Sequence, residues 1–119
     1  MKNFIFTFAF LLIVCFAHGQ IPKKGIHLYT IRHAESPSLI TKVKCSVEID
    51  GDKVKVIFLS GNLSKVKKGD VLDEGILMKH KSGKWIIGKT KKDTELDEIG
   101  GCTDGPSEID FKKKTYWIC

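Results

Sequence analysis

Three cysteines beyond the apolar start of the chain are the residues best suited to covalent chemistry: Cys45, Cys102 and Cys119. In an oxidising compartment such cysteines form disulfides, whereas a metal site needs cysteine or histidine ligands at short, regular spacing. No C-x-x-C or H-x-x-x-H spacing occurs in the chain. The sequence therefore predicts no metal site and no cofactor.

Cys102 and Cys119 are the predicted disulfide pair. Cys102 lies in a glycine-rich segment and Cys119 is the last residue. Because a chain terminus frays unless something holds it, a bond between the two would attach the tail to that segment. The closed loop would contribute about 3 kcal/mol through the lost entropy of the unfolded chain. Cys45, on the inward side of a predicted strand, is then a buried free thiol. A bond between Cys45 and Cys119, with Cys102 free, is the alternative.

A second candidate for chemistry is the string LYTIRHAES, residues 28–36, in which a β-prone run leads into Arg32 and His33. This string resembles the opening of the histidine phosphatase family, in which a strand leads into an Arg-His-Gly signature. The resemblance implies an α/β layered fold, with His33 as the phosphorylated nucleophile and Arg32 as a phosphate clamp. An imidazole can accept a phosphoryl group while a guanidinium binds its oxygens.

The chain departs from that family's pattern in several respects. Ala34 stands in place of the signature glycine, Arg32 is the only arginine, and His80 lacks the family's second histidine motif. A small secreted hydrolase is therefore the alternative functional hypothesis. It would use His33, or a cysteine paired with a histidine such as His27 or His80.

The first 19 residues predict export. Lys2 precedes an apolar run over residues 4–16, which is too short to cross a bilayer because a spanning helix takes about 20 apolar residues. Ala17 and Gly19 then supply the small side chains that signal peptidase requires. This order of features is typical of a signal peptide cleaved between Gly19 and Gln20.

Cleavage there leaves residues 20–119 as one secreted or periplasmic domain, with no transmembrane segment after processing. A chain of this length supports a single hydrophobic core. A lipid-anchored protein acylated at Cys15 is the alternative, although Val14 before it is larger than the small residue expected at that position.

The charge of the chain limits the partners that the sequence favours, although the partner itself stays unknown. The chain has 20 basic and 14 acidic side chains, a formal net charge of +6. The scattered lysines predict solvated strand faces, and weak binding to anionic envelope polymers or lipid headgroups is the alternative. Guanidinium groups perform most bidentate base and phosphate recognition, so a single arginine argues against dedicated nucleic-acid binding.

Alternation of apolar and polar residues predicts a mainly β domain, a small antiparallel sandwich or barrel of about six to eight short strands with at most one short helix. The clearest unit is a hairpin with apolar alternation over residues 43–49 and 54–58. Between the two runs lies Asp50-Gly51, a pair suited to a two-residue turn.

The rest of the pattern predicts five further elements. They are a first strand over residues 26–31, a loop over 61–73, a second hairpin over 76–87 with its turn at 81–84, one short helical turn within 93–99, and a last hairpin that joins 109–111 to 115–118.

Three aromatic residues are candidates for a ligand groove or for half-buried positions in the sheet: Trp85, Tyr116 and Trp117. No converging set of catalytic residues accompanies them. The leading functional hypothesis is therefore a non-enzymatic secreted or periplasmic domain that binds a ligand or has an accessory role in the envelope.

Overall fold

The computed structural model describes residues 21–38, 41–100 and 102–119, and in this part of the chain seven strands form one sheet that closes into a barrel. The elements in chain order are β1 (Gly25–His33), β2 (Lys44–Asp50), β3 (Lys53–Ser60), β4 (Val71–Lys79), β5 (Trp85–Gly88), a 3-10 helix (Lys91–Glu95), β6 (Ser107–Asp110) and β7 (Thr115–Ile118).

Consecutive strands pair antiparallel, and β7 pairs parallel with β1 to close the barrel. The predicted mainly β fold is confirmed, and of the two predicted architectures the structure is a barrel. Closure removes the exposed strand edges at which a sheet can pair with another chain. The predicted signal peptide, residues 1–19, lies outside the described residues. Within the described residues, no helix is long and apolar enough to span a bilayer.

The first hairpin supplies much of the core, as its alternation predicts. Val47 and Val56 are paired across β2 and β3, and both are fully buried. Cys45 and Phe58 form the next inward pair. The barrel interior therefore excludes water from apolar side chains contributed by every strand, which is the main force that favours folding. These core residues also include Tyr29, Ile31, Val43, Ile49, Val54, Leu77, Ile87, Ile109 and Tyr116.

The turn of this hairpin lies one residue later than predicted. Asp50 pairs with Lys53, so the turn consists of Gly51 and Asp52. Gly51 has a φ of 65°, in the left-handed region that a residue with a Cβ enters at a cost. The predicted glycine therefore does shape the turn, while Asp50 belongs to the strand.

Several predicted boundaries differ from the structure. The helical turn lies at Lys91–Glu95 rather than within 93–99, and β6 runs over Ser107–Asp110 rather than 109–111.

Long-range pairing extends two other strands. β4 begins at Val71, within the predicted 61–73 loop, since Val71 and Asp73 pair with β3. β1 continues to His33 because its end pairs with β7. Strand pairing satisfies backbone groups in polar segments that have little β propensity of their own.

Strands β4 and β5 approach closely at two glycines. A Cβ on Gly75 would lie 2.5 Å from the Gly88 carbonyl oxygen, and a Cβ on Gly88 would lie 3.0 Å from the Asp93 carboxylate. Asp93 in turn accepts hydrogen bonds from the backbone N–H groups of Lys89 and Thr90 at 2.7 and 3.2 Å. These contacts fix the short helix against the end of β5.

Candidate functional site

The predicted cysteine pair lies together at the end of the closing strand. The Sγ atoms of Cys102 and Cys119 are 2.07 Å apart, at disulfide distance, and their Cα atoms are 4.6 Å apart. Cys119 directly follows β7, so a bond here attaches the strand that closes the barrel to the loop containing Cys102. Such a pair is compatible with a protein that acts outside the cytoplasm.

The remaining described cysteine, Cys45, is free and completely buried in the core. Burial raises the pKa of its thiol to about 12, although the nearby Lys44 acts in the opposite direction. The thiol is therefore protonated at neutral pH, and only a thiolate is an effective nucleophile. The alternative bond between Cys45 and Cys119 is not the arrangement in the structure.

A carboxylate lies beside the cysteine pair. Glu35 Oε1 is 3.1 Å from the Cys102 sulfur and 3.2 Å from the Cys119 sulfur. The three side chains could offer metal ligands, because their donor atoms lie within 4.8 Å of one another. Two sulfurs that are bonded to each other have no thiolate with which to bind a metal ion. The three side chains are therefore a cysteine pair at disulfide distance beside a carboxylate.

The Arg32-His33 string does not occur in the α/β fold that its resemblance implies, because both residues belong to β1 of the barrel. The Arg32 guanidinium donates through Nη2 to the Pro37 carbonyl oxygen at 2.7 Å. It also lies 5.6 Å from the centroid of the Trp117 ring. The fold expected from the resemblance is therefore wrong, and a catalytic role for His33 stays a prediction.

The other two candidate histidines make structural contacts. The buried His80 has Nε2 2.6 Å from the Leu96 carbonyl oxygen, and its Nδ1 accepts the Ser82 backbone N–H at 3.1 Å. These partners require the tautomer with the proton on Nε2. The ring thus connects the β4–β5 turn to the segment after the helix. His27 contacts the Lys23 carbonyl oxygen through Nε2 at 2.8 Å.

Two of the three predicted aromatic candidates line a groove at the end of the barrel where β4 turns into β5 and β6 turns into β7. This aromatic groove has a volume of about 470 Å³, within the range typical of small-ligand sites. It is lined by Lys79, Gly83, Lys84, Trp85, Glu108, Ile109, Asp110, Phe111, Lys112, Lys113 and Trp117.

Strand pairing assembles the aromatic part of this groove. Trp85 pairs with Ile109, which brings the first residue of β5 beside the turn after β6. The rings of Trp85 and Phe111 have centroids 5.6 Å apart and are tilted by 51°. Lys79 pairs with Trp85 across β4 and β5, and its ammonium lies 5.8 Å from the indole centroid. Trp85 stands where β5 begins, so its indole is only half-buried.

The β6–β7 turn holds two lysines at the groove. Asp110 Oδ1 accepts the backbone N–H groups of Lys112 and Lys113, both at 2.9 Å. Lys114 then has a φ of 53°, which returns the chain into β7. The carboxylate thus stabilises the turn that carries both exposed ammonium groups.

Tyr116, the third aromatic candidate, lies in the core rather than in the groove. Successive residues of a strand point to opposite faces, so β7 buries Tyr116 and leaves Trp117 half-buried. The Tyr116 hydroxyl donates to Asp73 Oδ2 at 3.0 Å and lies 3.4 Å from Ser107 Oγ. Burial raises the pKa of Tyr116 above its ordinary value of 10.0.

A second groove, the aliphatic groove, has a volume of about 560 Å³ and lies along β1 to β4. Its exposed apolar side chains are Ile26, 73% exposed, and Ile76, 37% exposed. Three lysines and three carboxylates line it, and two ion pairs connect them, Lys24–Asp50 at 3.7 Å and Lys55–Glu74 at 3.5 Å. The aliphatic groove is larger, but it offers no aromatic ring and no excess of charge.

Comparisons of the chain with protein-family models, with curated proteins and with solved structures find no match. The chemistry of the two grooves is therefore the basis for a functional conclusion. The aromatic groove combines ring faces with lysines, and sequence reasoning had identified Trp85 and Trp117 but missed Phe111, Lys112 and Lys113 as partners.

Proposed function

We propose that the chain is a small non-enzymatic domain, exported by a signal peptide, that binds a saccharide in the aromatic groove. One observation carries the proposal: both tryptophans of the chain line a single groove. Trp85 and Trp117 stand there on strands of the closed barrel, and Phe111 stands in the turn after β6, beside charged side chains.

A saccharide matches the chemistry of this groove. The face of an aromatic ring is electron-rich, and the C–H face of a pyranose carries partial positive charge, so the two stack. Lysine ammonium groups and backbone groups at the rim can bind sugar hydroxyls, which stay partly hydrated. Strands β5 and β7 hold the two indole rings in place before binding, and this reduces the entropy cost of association.

The state of the cysteines and histidines supports a non-enzymatic role. Cys45 is buried and protonated, and the sulfurs of Cys102 and Cys119 lie at bonding distance from each other. A thiol nucleophile needs a thiolate and a histidine within hydrogen-bond reach. His80 already has its ring nitrogens occupied by Ser82 and Leu96.

The location outside the cytoplasm is supported by two features. Residues 4–16 form the apolar stretch of the predicted signal peptide, and the paired Cys102 and Cys119 suit an oxidising compartment. Intact-mass measurement of the exported protein tests this part directly. The expected chain begins near Gln20, and a mature protein that retains Met1 would contradict export by cleavage.

Binding is tested by calorimetric titration with a panel of neutral and acidic hexasaccharides. We expect at least one of them to bind, and Trp85→Ala to weaken that binding about tenfold, because one stacking contact on an indole is worth on the order of 1–1.5 kcal/mol. Ile76→Ala in the aliphatic groove is the control and should leave binding unchanged. Thermal unfolding of each variant checks that it is folded at the assay temperature.

Two results would refute the saccharide site. One is that no member of the panel binds the folded protein. The other is that Trp85→Ala, shown to be folded, binds as well as the parent while Ile76→Ala binds less well, because this would place the ligand in the aliphatic groove.

A further inference from the structure

We infer that the ligand of the aromatic groove is an acidic saccharide, a chain of sugars that carry carboxylate or sulfate groups. This inference rests on the proposed function, and it adds the charge of the ligand. It is carried by the excess of lysines at the groove and by the position of an ammonium over an indole ring.

The charges that line the aromatic groove do not balance. Four lysines stand there against two carboxylates. Lys84 is paired with Glu108 at 3.2 Å, while the other carboxylate, Asp110, accepts the N–H groups of its own turn. Among the described residues, neither Lys112 nor Lys113 forms an ion pair. Two exposed ammonium groups are therefore available to an anion.

A third ammonium lies over the indole ring of Trp85. Lys79 Nζ is 5.8 Å from the centroid of the Trp85 ring. A sugar that stacks on this face displaces the ammonium from the ring, and the flexible lysine stem keeps the cation within reach of the substituents of the sugar. A sugar that carries a carboxylate or sulfate would use both the ring and the cation. Its C–H face would stack on the indole, and its anionic group would pair with the ammonium. A neutral sugar would use only the ring.

Single-stranded nucleic acid is the other polymer that combines rings with negative charge. Proteins that bind single-stranded nucleic acid stack the bases on aromatic side chains and bind the phosphates in basic grooves, commonly with help from arginine. The cations that line the aromatic groove are lysines, which act as point charges without a bidentate fork. The one arginine near its rings, Arg32, lies over Trp117 and donates through Nη2 to the Pro37 carbonyl oxygen. A lysine can pair with a carboxylate or sulfate of a sugar chain without such a fork, whereas bidentate recognition of phosphates and bases uses a guanidinium, so the acidic saccharide is the favoured ligand.

The test compares a galacturonate hexamer with its fully methyl-esterified form, which keeps the sugar rings and removes the charge. Binding is followed by tryptophan fluorescence, because both tryptophans line the groove. We expect the acid to bind about tenfold more tightly than the ester. Its affinity should also fall about tenfold between roughly 20 mM and 200 mM salt, since salt screens exposed charges.

A matched pair of charge-reversal variants locates the effect. Lys112→Glu with Lys113→Glu should weaken binding of the acid about tenfold or more and leave the ester within about twofold. Lys67→Glu with Lys68→Glu makes the same change in net charge on an exposed loop outside the groove. This control should leave both affinities within about twofold, because antiparallel pairing puts the β3–β4 loop at the opposite end of the barrel from the β6–β7 turn, where salt weakens its effect on the ligand.

The outcomes separate this inference from the proposed function. Equal affinity for the acid and the ester would overturn the inference and leave a neutral saccharide site standing. Tighter binding of a thymidine hexanucleotide than of the galacturonate would overturn it in favour of nucleic acid. Absence of binding by every neutral and acidic saccharide would overturn the proposed function itself.

Discussion

The bond between Cys102 and Cys119 should make a large contribution to the free energy of unfolding of the domain. The two residues are 17 positions apart, and closing a loop of that size removes enough entropy from the unfolded chain to contribute about 3 kcal/mol. In a domain of about 100 residues this corresponds to a fall in melting temperature of about 12–24 °C when the bond is lost. Because β7 closes the barrel by pairing with β1, the loss should free that strand first.

Urea unfolding followed by tryptophan fluorescence measures this contribution in two ways. Cys102→Ser with Cys119→Ser should lower the free energy of unfolding by about 3 kcal/mol, and a reductant should lower that of the parent by a similar amount. The reductant should have no effect on the double variant, since Cys45 is free. The reasoning is refuted if the double variant loses less than about 1 kcal/mol, or if the reductant destabilises both proteins equally.

Three further predictions concern individual side chains. Asp93→Ala should lower the free energy of unfolding by about 1 kcal/mol at pH 7. Backbone hydrogen bonds hold the pKa of Asp93 below its ordinary value of 3.8. Its contribution to stability is therefore present above pH 3.8 and is lost as the pH falls through the lower folded value. A loss of stability in Asp93→Ala that does not shrink as the pH falls below 3.8 would contradict this. Cys45 should resist iodoacetamide in the folded protein and react after unfolding, because burial raises the pKa of its thiol to about 12. Mass spectrometry follows the alkylation, and rapid alkylation of the folded protein would contradict this prediction. Glu35→Gln should speed reduction of the cysteine pair by glutathione roughly two- to fivefold. The Glu35 carboxylate lies 3.1 and 3.2 Å from the two sulfurs, so it repels an incoming thiolate. An unchanged rate would argue that the repulsion is screened.

Local alternation was sufficient to predict the first hairpin, because a strand buried on one side shows a period of two in its own residues. The inward row that includes Cys45 and Val47 is buried as predicted. The pairing of β7 with β1 could not be predicted in this way, since partners such as Ile31 and Tyr116 are far apart in sequence. The start of β4 was not predicted for the same reason. The polar Asp73 belongs to this strand because it pairs with β3.

The candidate site was only partly visible in the sequence. Alternation alone does not decide which of Tyr116 and Trp117 points inward, whereas the register with Ile109 and Ile31 does. Phe111 contacts Trp85 only because β5 pairs with β6, although a helix and a loop separate the two strands in the sequence. The sequence spacing of Trp85 and Phe111 does not predict this contact.

Two-dimensional NMR of isotope-labelled protein tests the central claim most directly, because it locates the ligand. The two indole N–H signals, from Trp85 and Trp117, should shift on titration with the galacturonate hexamer or its methyl ester. The backbone signals of Ile26 and Ile76 in the aliphatic groove should stay in place. Shifts confined to the aliphatic groove, or no shift with either sugar, would contradict a saccharide site in the aromatic groove.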